Sequence, residues 1–180
     1  TFGNELNIGF PGGPSMMGMP AGPLDNKTTD ILTISIKDKL LDAVTTLPQR
    51  LTTNNVWSEV NVSNRTINFS ALPMMSTDNF FINNSKYVES VINFKTQLNN
   101  TEIWTLSNQT IMAHPFHIHG NHFYILSING QEPPENLKGR KDVVLVPPMN
   151  GSVKLITKYE DFSDSDMPYM YHCHILSHED

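Results

Sequence analysis

The stretch TEIWTLSNQTIMAHPFHIHGNHFYILSI, residues 101–128, is the most informative part of the sequence about the fold. It contains two runs, TEIWTLSN and HFYILSI, that are rich in β-branched and aromatic residues and are bounded by turn residues. Such composition predicts short β-strands. Between the two runs lies a histidine-rich segment, HPFHIHG. With no helical periodicity in the stretch, the expected fold class is all-β.

Similar runs continue on both sides of this stretch and bring the number of candidate strands to eight. The six further runs are RTINFSAL (65–72), NFFINN (79–84), SVINFKT (90–96), DVVLVPP (142–148), SVKLITKY (152–159) and PYMYHCHI (168–175). The turns between them are rich in Asn, Gly and Pro, as in NGQEPPEN and PPMNG. This spacing predicts an antiparallel β-sandwich or a Greek-key barrel.

The first part of the chain has a different character. The stretch FPGGPSMMGMPAGP (10–23) predicts a loop, whereas the alternating DILTISI (30–36) predicts a strand. Residues 37–55 are polar and interrupted by Pro48, which indicates a linker. Further along, Asn61 and Asn108 open NxS/T triplets, which we interpret as signs of surface loops.

Length and composition exclude several classes of function. A chain of 180 residues suffices for one well-packed core, and no apolar run is long enough to span a bilayer. The net charge of -6 and the scattered 12 Lys and Arg residues argue against nucleic-acid binding. Thr1 is not followed by a signal-peptide pattern, so targeting motifs do not assign a compartment.

The histidines are strongly clustered. Of seven, six fall in HPFHIHG (114–120) and HCHILSH (172–178), and the second motif also holds the single cysteine, Cys173. A lone cysteine excludes a disulfide within the chain. The clustering favours metal ligation for these residues, whereas we expect the remaining His122 to be a surface or packing residue.

Strand alternation explains the second motif. If it ends the strand PYMYHCHI, Cys173 faces one side of the strand, and His172 and His174 face the other. His178 follows the strand and can fold back to the side of the cysteine. A thiolate with two imidazoles is the ligand set of a trigonal blue-copper site. One further imidazole must therefore come from elsewhere.

The first motif can supply that imidazole. We expect Pro115 to interrupt the strand and to set His114 apart, toward the cysteine. His117 and His119, two residues apart, are expected to join His172 and His174. Four imidazoles without a thiolate suit copper ions that bind oxygen, whereas a structural zinc site would be complete with four ligands in all.

The motifs HPFHIHG and HCHILSHED resemble the paired copper signatures of multicopper oxidases, the family of laccases, bilirubin oxidases and cuprous oxidases. Residues 56–180 resemble the last cupredoxin domain of that family, and residues 1–36 resemble the tail of a preceding middle domain, which leaves 37–55 as the linker. The resemblance implies a cupredoxin-like Greek-key fold.

The resemblance also implies a role for each motif residue. His114, Cys173 and His178 would bind the type 1 copper, and His117 the type 2 copper. The ligands of the type 3 pair would be His119, His172 and His174. The family's axial type 1 position would fall beyond Asp180, so this set lacks an axial ligand, and the three-copper cluster is half supplied.

Glu179 matches an acidic position that resembles the family's proton relay. A solvated surface carboxylate is the alternative.

By resemblance, the function is that of a copper-dependent oxidoreductase. A phenolic substrate, or Cu(I) or Fe(II), would lose single electrons at the type 1 copper, and dioxygen would be reduced to water by four electrons at the cluster. The missing ligands imply an upstream cupredoxin domain of the same polypeptide or a neighbouring chain, so this chain alone would be an incomplete enzyme. The family further implies a periplasmic or extracellular location.

Two alternatives remain open at this stage. A single-domain blue-copper electron carrier would need only His114, Cys173 and His178, and would leave the other four motif histidines unexplained. A degenerate domain that binds no metal would leave both motifs unexplained. Met74 and Met75 hint at a cuprous substrate, since thioethers are soft ligands, but methionines that fill gaps in loops would look the same.

Overall fold

A computed structural model describes residues 2–3, 28–30, 32–36, 38, 46–49, 51–72, 79–161, 163–164, 166–175 and 178. The chain divides into two compact units, one formed by Thr1–Ile8 and Gly12–Asn55, the other by Gly9–Pro11 and Val56–Asp180. In the first unit, β1 (Phe2–Gly3) pairs antiparallel with β2 (Thr28–Thr29). The loop predicted for residues 10–23 lies outside the described residues.

The strand predicted for residues 30–36 is wrong where the structure describes it. Asp30 and residues 32–36 belong to no strand. The alternating Leu32, Ile34 and Ile36 are 71%, 77% and 95% exposed. Alternation gives a strand only where a neighbouring strand and a core cover the apolar face, and these three side chains face solvent instead.

In the described part of the second unit, eight strands form two sheets. The strands are β3 (Ser63–Ala71), β4 (Phe80–Ile82), β5 (Thr101–Asn108), β6 (His114–Ile118), β7 (Phe123–Ile128), β8 (Val143–Val146), β9 (Gly151–Lys158) and β10 (Tyr171–Cys173). One sheet has the order β4-β3-β5-β9-β7, and the other has the order β10-β6-β8. A single 3-10 turn, Glu135–Leu137, precedes β8 among the described residues. The predicted all-β class is confirmed, although β3 and β5 run parallel rather than antiparallel.

The strand predicted for residues 90–96 is also wrong, because residues 91–97 pair with no strand. Val91 and Ile92 are 53% and 45% exposed. Phe94 anchors this extended segment by packing its ring 5.5 Å from the Trp104 ring and 5.0 Å from the Tyr171 ring, measured between centroids. The apolar residues of this segment therefore resemble those of a strand, although only Phe94 packs against the core in this way.

The main core contains side chains from both sheets, and each strand contributes alternate residues to it. Trp104 and Leu106 of β5 and Phe116 and Ile118 of β6 are all at most 1% exposed, as is Phe123 of β7. The period of two expected for strands accounts for this pattern. A smaller apolar cluster covers the opposite face of the five-stranded sheet, where Ile103, Tyr124 and Ile156 pack beneath Trp57, Val62 and Leu126.

A two-residue turn of type I′ follows β4 and fixes its position. Asn83 and Asn84 have φ values of 51° and 62°, and Ile82 and Ser85 exchange backbone hydrogen bonds of 3.0 Å. Asparagine tolerates this left-handed conformation better than most residues. The turn is also tied to β3, because Asn83 donates its backbone N–H to the Asn68 carbonyl at 2.8 Å and accepts the Asn68 N–H on its side chain at 2.8 Å.

None of the helical segments in the described part of the chain has the length and apolar character of a membrane-crossing helix.

A buried ionic network joins β3 and β5 beside the core. The Glu102 carboxylate accepts hydrogen bonds from Arg65 Nε at 2.9 Å, Arg65 Nη2 at 3.0 Å and Trp104 Nε1 at 2.8 Å. The side chain of Glu102 is 5% exposed. The Arg65 guanidinium also lies 3.9 Å above the centre of the Phe94 ring, so the same network holds the segment that carries Phe94.

We predict that Glu102→Ala lowers the free energy of unfolding by about 2–4 kcal/mol, because it leaves Arg65 and Trp104 Nε1 without a buried acceptor. The value lies below that of a fully buried pair, since the Arg65 side chain is 22% exposed and can regain water. Urea denaturation measures the change. Glu132→Ala, which breaks the exposed pair of Glu132 with Lys138, is the control and should have no measurable effect; equal effects of the two variants would contradict the prediction.

Candidate metal centre

The two histidine motifs form adjacent antiparallel strands. β6 pairs with β10 so that His117 lies opposite His172, Phe116 opposite Cys173 and Ile118 opposite Tyr171. The backbone N–H of His174 extends the pairing by donating to the Pro115 carbonyl at 2.7 Å. Side chains on the two strands therefore alternate together, and each motif contributes to both faces of the three-stranded sheet.

Pro115 does not interrupt the strand, and that prediction is wrong. β6 runs from His114 through Pro115 to Ile118 and is paired on both sides. The N and C=O of a strand residue point to the same neighbour, and the Pro115 carbonyl points to His174, one residue past the end of β10. The N–H that proline lacks would thus lie at the end of the hydrogen-bond ladder between β6 and β10. Regular alternation alone separates His114 from His117.

One face carries an inner group of His114, Cys173 and His178. His114 Nδ1 lies 3.3 Å from Cys173 Sγ, and His178 Nδ1 lies 3.6 Å from the same sulfur. The three residues are 1%, 0% and 8% exposed, respectively. The structure therefore brings the predicted thiolate and its two imidazoles together inside the core.

Thr110 determines which nitrogen of His114 faces the sulfur. Thr110 Oγ1 lies 2.6 Å from His114 Nε2, and it also lies 2.8 Å from Asn108 Oδ1 and 3.0 Å from the Met112 carbonyl. A hydroxyl has one proton, which the two carbonyl oxygens already compete for. His114 Nε2 must therefore carry a proton and donate to Thr110, and Nδ1 keeps its lone pair toward Cys173.

The inner group also keeps His114 neutral. Burial, together with the proximity of His178, lowers the pKa of His114 from 6.5 to about 3. A neutral imidazole is the form that binds a metal. Near pH 7 the ring is thus poised as a ligand, with no proton to displace from Nδ1.

The other face carries an outer group of His117, His119 and His172. His117 Nδ1 lies 2.9 Å from the Asp142 carbonyl, and His172 Nδ1 lies 3.2 Å from the Cys173 carbonyl. Because a carbonyl oxygen only accepts, both Nδ1 atoms carry protons, and the lone pairs lie on Nε2. His172 Nε2 in turn lies 3.0 Å from His119 Nε2. The outer group thus gathers imidazole nitrogens without a sulfur.

His174 lies beside the outer group on its solvent side. Its ring centre is 5.1 Å from that of His172 and 5.6 Å from that of His117. His174 is exposed, as is His119, whereas His172 is 9% exposed. The outer face therefore opens outward, in contrast to the closed inner group.

The segment before β10 holds His119 in place. The backbone N–H of His119 donates to the Met170 carbonyl at 2.9 Å, and the Tyr169 ring packs on Gly120. Gly120 has φ +65°, and a Cβ at this position would overlap the Tyr169 ring. The glycine that ends HPFHIHG is thus required by both its backbone conformation and this close contact.

Other candidates stand apart from both groups. His122 is exposed, in agreement with the surface role predicted for it. Glu179, Met74 and Met75 lie outside the described residues, and their predicted roles stay predictions. The structure thus gathers all seven cysteine and histidine candidates of the two motifs at one strand pair.

Comparison with known proteins gives the decisive observation. The sequence model of the multicopper oxidase family matches residues 46–180. A multicopper oxidase of Staphylococcus haemolyticus is 34% identical over 170 residues, which cover 92% of this chain and 33% of that protein. The chain belongs to the multicopper oxidase family.

Solved structures of other multicopper oxidases agree with this assignment. The laccase-like enzyme of the lignin-degrading bacterium Ochrobactrum sp. is 32% identical with a TM-score of 0.65, over 76% of this chain and 33% of that one. The metallo-oxidase of Campylobacter jejuni is 28% identical with a TM-score of 0.61, over 76% and 31% of the two chains. This multicopper oxidase chain spans about a third of the length of these relatives.

The inner group fits the copper that the family implies. Donor atoms around a trigonal metal, at bond lengths of about 2.0–2.3 Å, are separated by roughly 3.5–3.8 Å. The sulfur-to-nitrogen distances of 3.3 Å and 3.6 Å are close to that range, and the three donor atoms all lie within 4.8 Å of one another. A thiolate with two imidazoles is also soft enough for Cu(I) and basic enough for Cu(II).

Sequence reasoning missed the residues that orient this multicopper oxidase site. Asn108, predicted to lie in a surface loop, is 0% exposed; its side-chain N–H groups donate to the Met112 carbonyl at 2.7 Å and the Pro147 carbonyl at 3.0 Å. The NxT triplet gave a wrong prediction because it takes no account of the strand that Asn108 belongs to. Alternation along β5 places Asn108 on the same side as Trp104 and Leu106, and this signal could have revealed its burial.

We predict that Thr110→Val destabilises the metal-free protein by about 1–3 kcal/mol, because the buried His114 Nε2–H loses its acceptor. Chemical denaturation measures the change, and nitrogen NMR of the wild-type imidazole should show the proton on Nε2. Thr105→Val is the matched control, because the Thr105 side chain is exposed on the opposite face of β5. A proton on Nδ1 of His114, or a stability change no larger than that of the control, would overturn the assignment of Thr110.

Proposed function

We propose that this chain is the copper-bearing C-terminal part of a multicopper oxidase, in which the inner group is the type 1 site and the outer group supplies half of a three-copper cluster. The observation that carries the proposal is the position of Cys173, the last residue of β10, between His172 and His174, with its sulfur on the inner face and the two imidazoles on the outer face. The proposed type 1 ligands are His114, Cys173 and His178. For the cluster, His117 is the proposed type 2 ligand, and the type 3 ligands are His119, His172 and His174.

Copper held by the inner group would supply one-electron oxidation of a substrate, and copper held by the outer group would supply the reduction of dioxygen to two water molecules, which consumes four electrons and four protons from solvent. The protein's contribution is to hold the two sets a few covalent bonds apart, because Cys173 and its two histidine neighbours are consecutive residues at the end of β10. His172 Nδ1 also donates to the Cys173 carbonyl, which adds a short polar link between the faces. An electron carrier would have no use for the outer imidazoles, so their convergence favours the oxidase.

The outer group requires ligands from outside these motifs. His119 of the outer group and His174 beside it are exposed, so a further cupredoxin domain of the same polypeptide, or a neighbouring chain, would complete the cluster on this open side. We assign residues 1–36 to the tail of a preceding domain, 37–55 to a linker and 56–180 to the C-terminal cupredoxin domain. The location proposed for the enzyme, from its family, is periplasmic or extracellular.

The substrate is proposed to approach His178. A cavity of about 50 Å³ adjoins this histidine and is lined by Ser85, Lys86, Tyr87 and Asn93, among others. A recess of this size, lined by both polar and apolar side chains, suits the edge of a phenolic ring or a single Cu(I) or Fe(II) ion. The relatives include a laccase-like enzyme active on lignin model compounds and a metallo-oxidase, so both substrate classes fit the proposal.

We predict that the copper-loaded protein shows an intense blue thiolate absorption band, and that Cys173→Ser abolishes this band, because a hydroxyl does not replace the thiolate as a soft ligand. Visible spectroscopy with a copper count per chain measures both. His122→Ala, which removes an exposed histidine outside the two groups, is the control and should keep the full band. A colourless wild-type protein, or a Cys173→Ser variant that stays blue, would refute the proposed type 1 site.

A further inference from the structure

The ring of Phe80 covers both imidazoles of the inner group. Its plane lies 7° from that of His178, with the ring centres 4.5 Å apart. The same ring lies 4.6 Å from the His114 ring at an angle of 30°. One aromatic side chain from β4 therefore stacks on two rings that come from different parts of the chain.

Packing must fix the planes of these imidazoles, because their rotamers do not. The last torsion of a histidine side chain is broad and roughly two-fold, so an unpacked ring rotates over a wide range. Thr110 fixes the far nitrogen of His114, and Phe69 approaches the same ring edge-on at 5.8 Å. For His178, the near-parallel face of Phe80 restricts rotation of the ring that holds Nδ1 at 3.6 Å from Cys173 Sγ.

Backbone hydrogen bonds fix the position of Phe80, so that its ring can restrict the rotation of the imidazoles. Phe80 pairs with Ala71 of β3, and the backbone of Leu72 donates to the Asn79 carbonyl at 3.1 Å. The turn after β4 is tied to Asn68 by hydrogen bonds in both directions, as described above. Phe80 is 6% exposed, and its ring also contacts Phe69 at 5.7 Å. Strand pairing thus fixes the backbone of Phe80, and packing in the core fixes the plane of its ring.

We infer that Phe80 is a positioning residue for the proposed type 1 site, and that it sets the ring planes, and hence the Nδ1 lone pairs, of both His114 and His178. This inference rests on the proposed function, since the lone pairs matter only if the inner group binds copper. Substitution of residues that contact and orient metal ligands commonly weakens metal affinity by about 10-fold to 100-fold.

The neighbouring Phe81 provides a matched control. It lies on the same strand, pairs with Ser70 and faces the opposite side, where Lys86 approaches its ring at 5.9 Å. Phe80→Leu and Phe81→Leu therefore remove the same ring from the same strand, but only the first removes the contact with the imidazoles. Phe80→Tyr retains the ring face that stacks on the imidazoles, and Phe80 lines the cavity beside His178.

The experiment has two readouts. In the metal-free protein, proton NMR should show that Phe80→Leu shifts the ring signals of His114 and His178, because these signals lose the ring current of Phe80, whereas Phe81→Leu leaves them in place. In the copper-loaded protein, Phe80→Leu should bind copper about 10-fold to 100-fold more weakly, with an altered copper electron-paramagnetic-resonance spectrum and a weakened thiolate band. Phe80→Tyr should restore the wild-type spectra.

Two results would overturn the inference. The first is a Phe80→Leu protein with one copper per chain and wild-type spectra. The second is a Phe81→Leu protein altered as strongly as Phe80→Leu, which would mean that any loss of packing on β4 has the same effect. A wild-type protein without a thiolate band would instead refute the proposed function, and this outcome is visible before any variant is made. If Phe80→Leu fails to fold, Phe80→Tyr keeps the inference testable. A positioning role of the ring requires the spectra of Phe80→Tyr to coincide with those of the wild type, and a difference between them would overturn it.

Discussion

The pairing of β6 with β10 is the constraint on which the site depends. With His117 opposite His172 and Phe116 opposite Cys173, alternation sends the thiolate into the core and its flanking imidazoles to the outer face. A shift of one residue in this register would exchange the faces of every side chain on β10. The register is protected by the core, because Phe116, Ile118 and Cys173 are each at most 1% exposed. The free-energy cost of moving them into water is the physical reason that one strand pair can hold the two candidate metal-binding sets on opposite faces.

The two faces differ in environment as well as in ligands. The inner group is enclosed by Phe69, Phe80 and the buried polar pair of Asn108 and Thr110, so its donor atoms are oriented before any metal arrives. On the outer face, backbone carbonyls of Asp142 and Cys173 orient two imidazoles, while the remaining side stays open. A closed set suits electron transfer, since ligands that do not move need little reorganisation. An open set suits a cluster that must admit dioxygen and further ligands.

Much of this could be predicted from the sequence, because period-two alternation is a local property. The spacing of His172, Cys173 and His174 was sufficient to predict their separation onto two faces. The predictions that were wrong depended on contacts with residues distant in the sequence. Residues 30–36 alternate without a strand beside them, and Pro115 is tolerated because its missing N–H falls one residue past the end of β10. The roles of Phe80 and Asn108 were not predictable from motifs, since each acts through a contact that exists only after the sheets have formed.

X-ray diffraction from copper-loaded crystals, with anomalous data collected on both sides of the copper absorption edge, would locate the metal ions directly. We expect one copper within bonding distance of Cys173 Sγ, His114 Nδ1 and His178 Nδ1, and separate copper density at the Nε2 atoms of the outer group. Copper on the outer face alone, or a single ion that draws ligands from both faces of β10, would refute the division of the ligands into two sets.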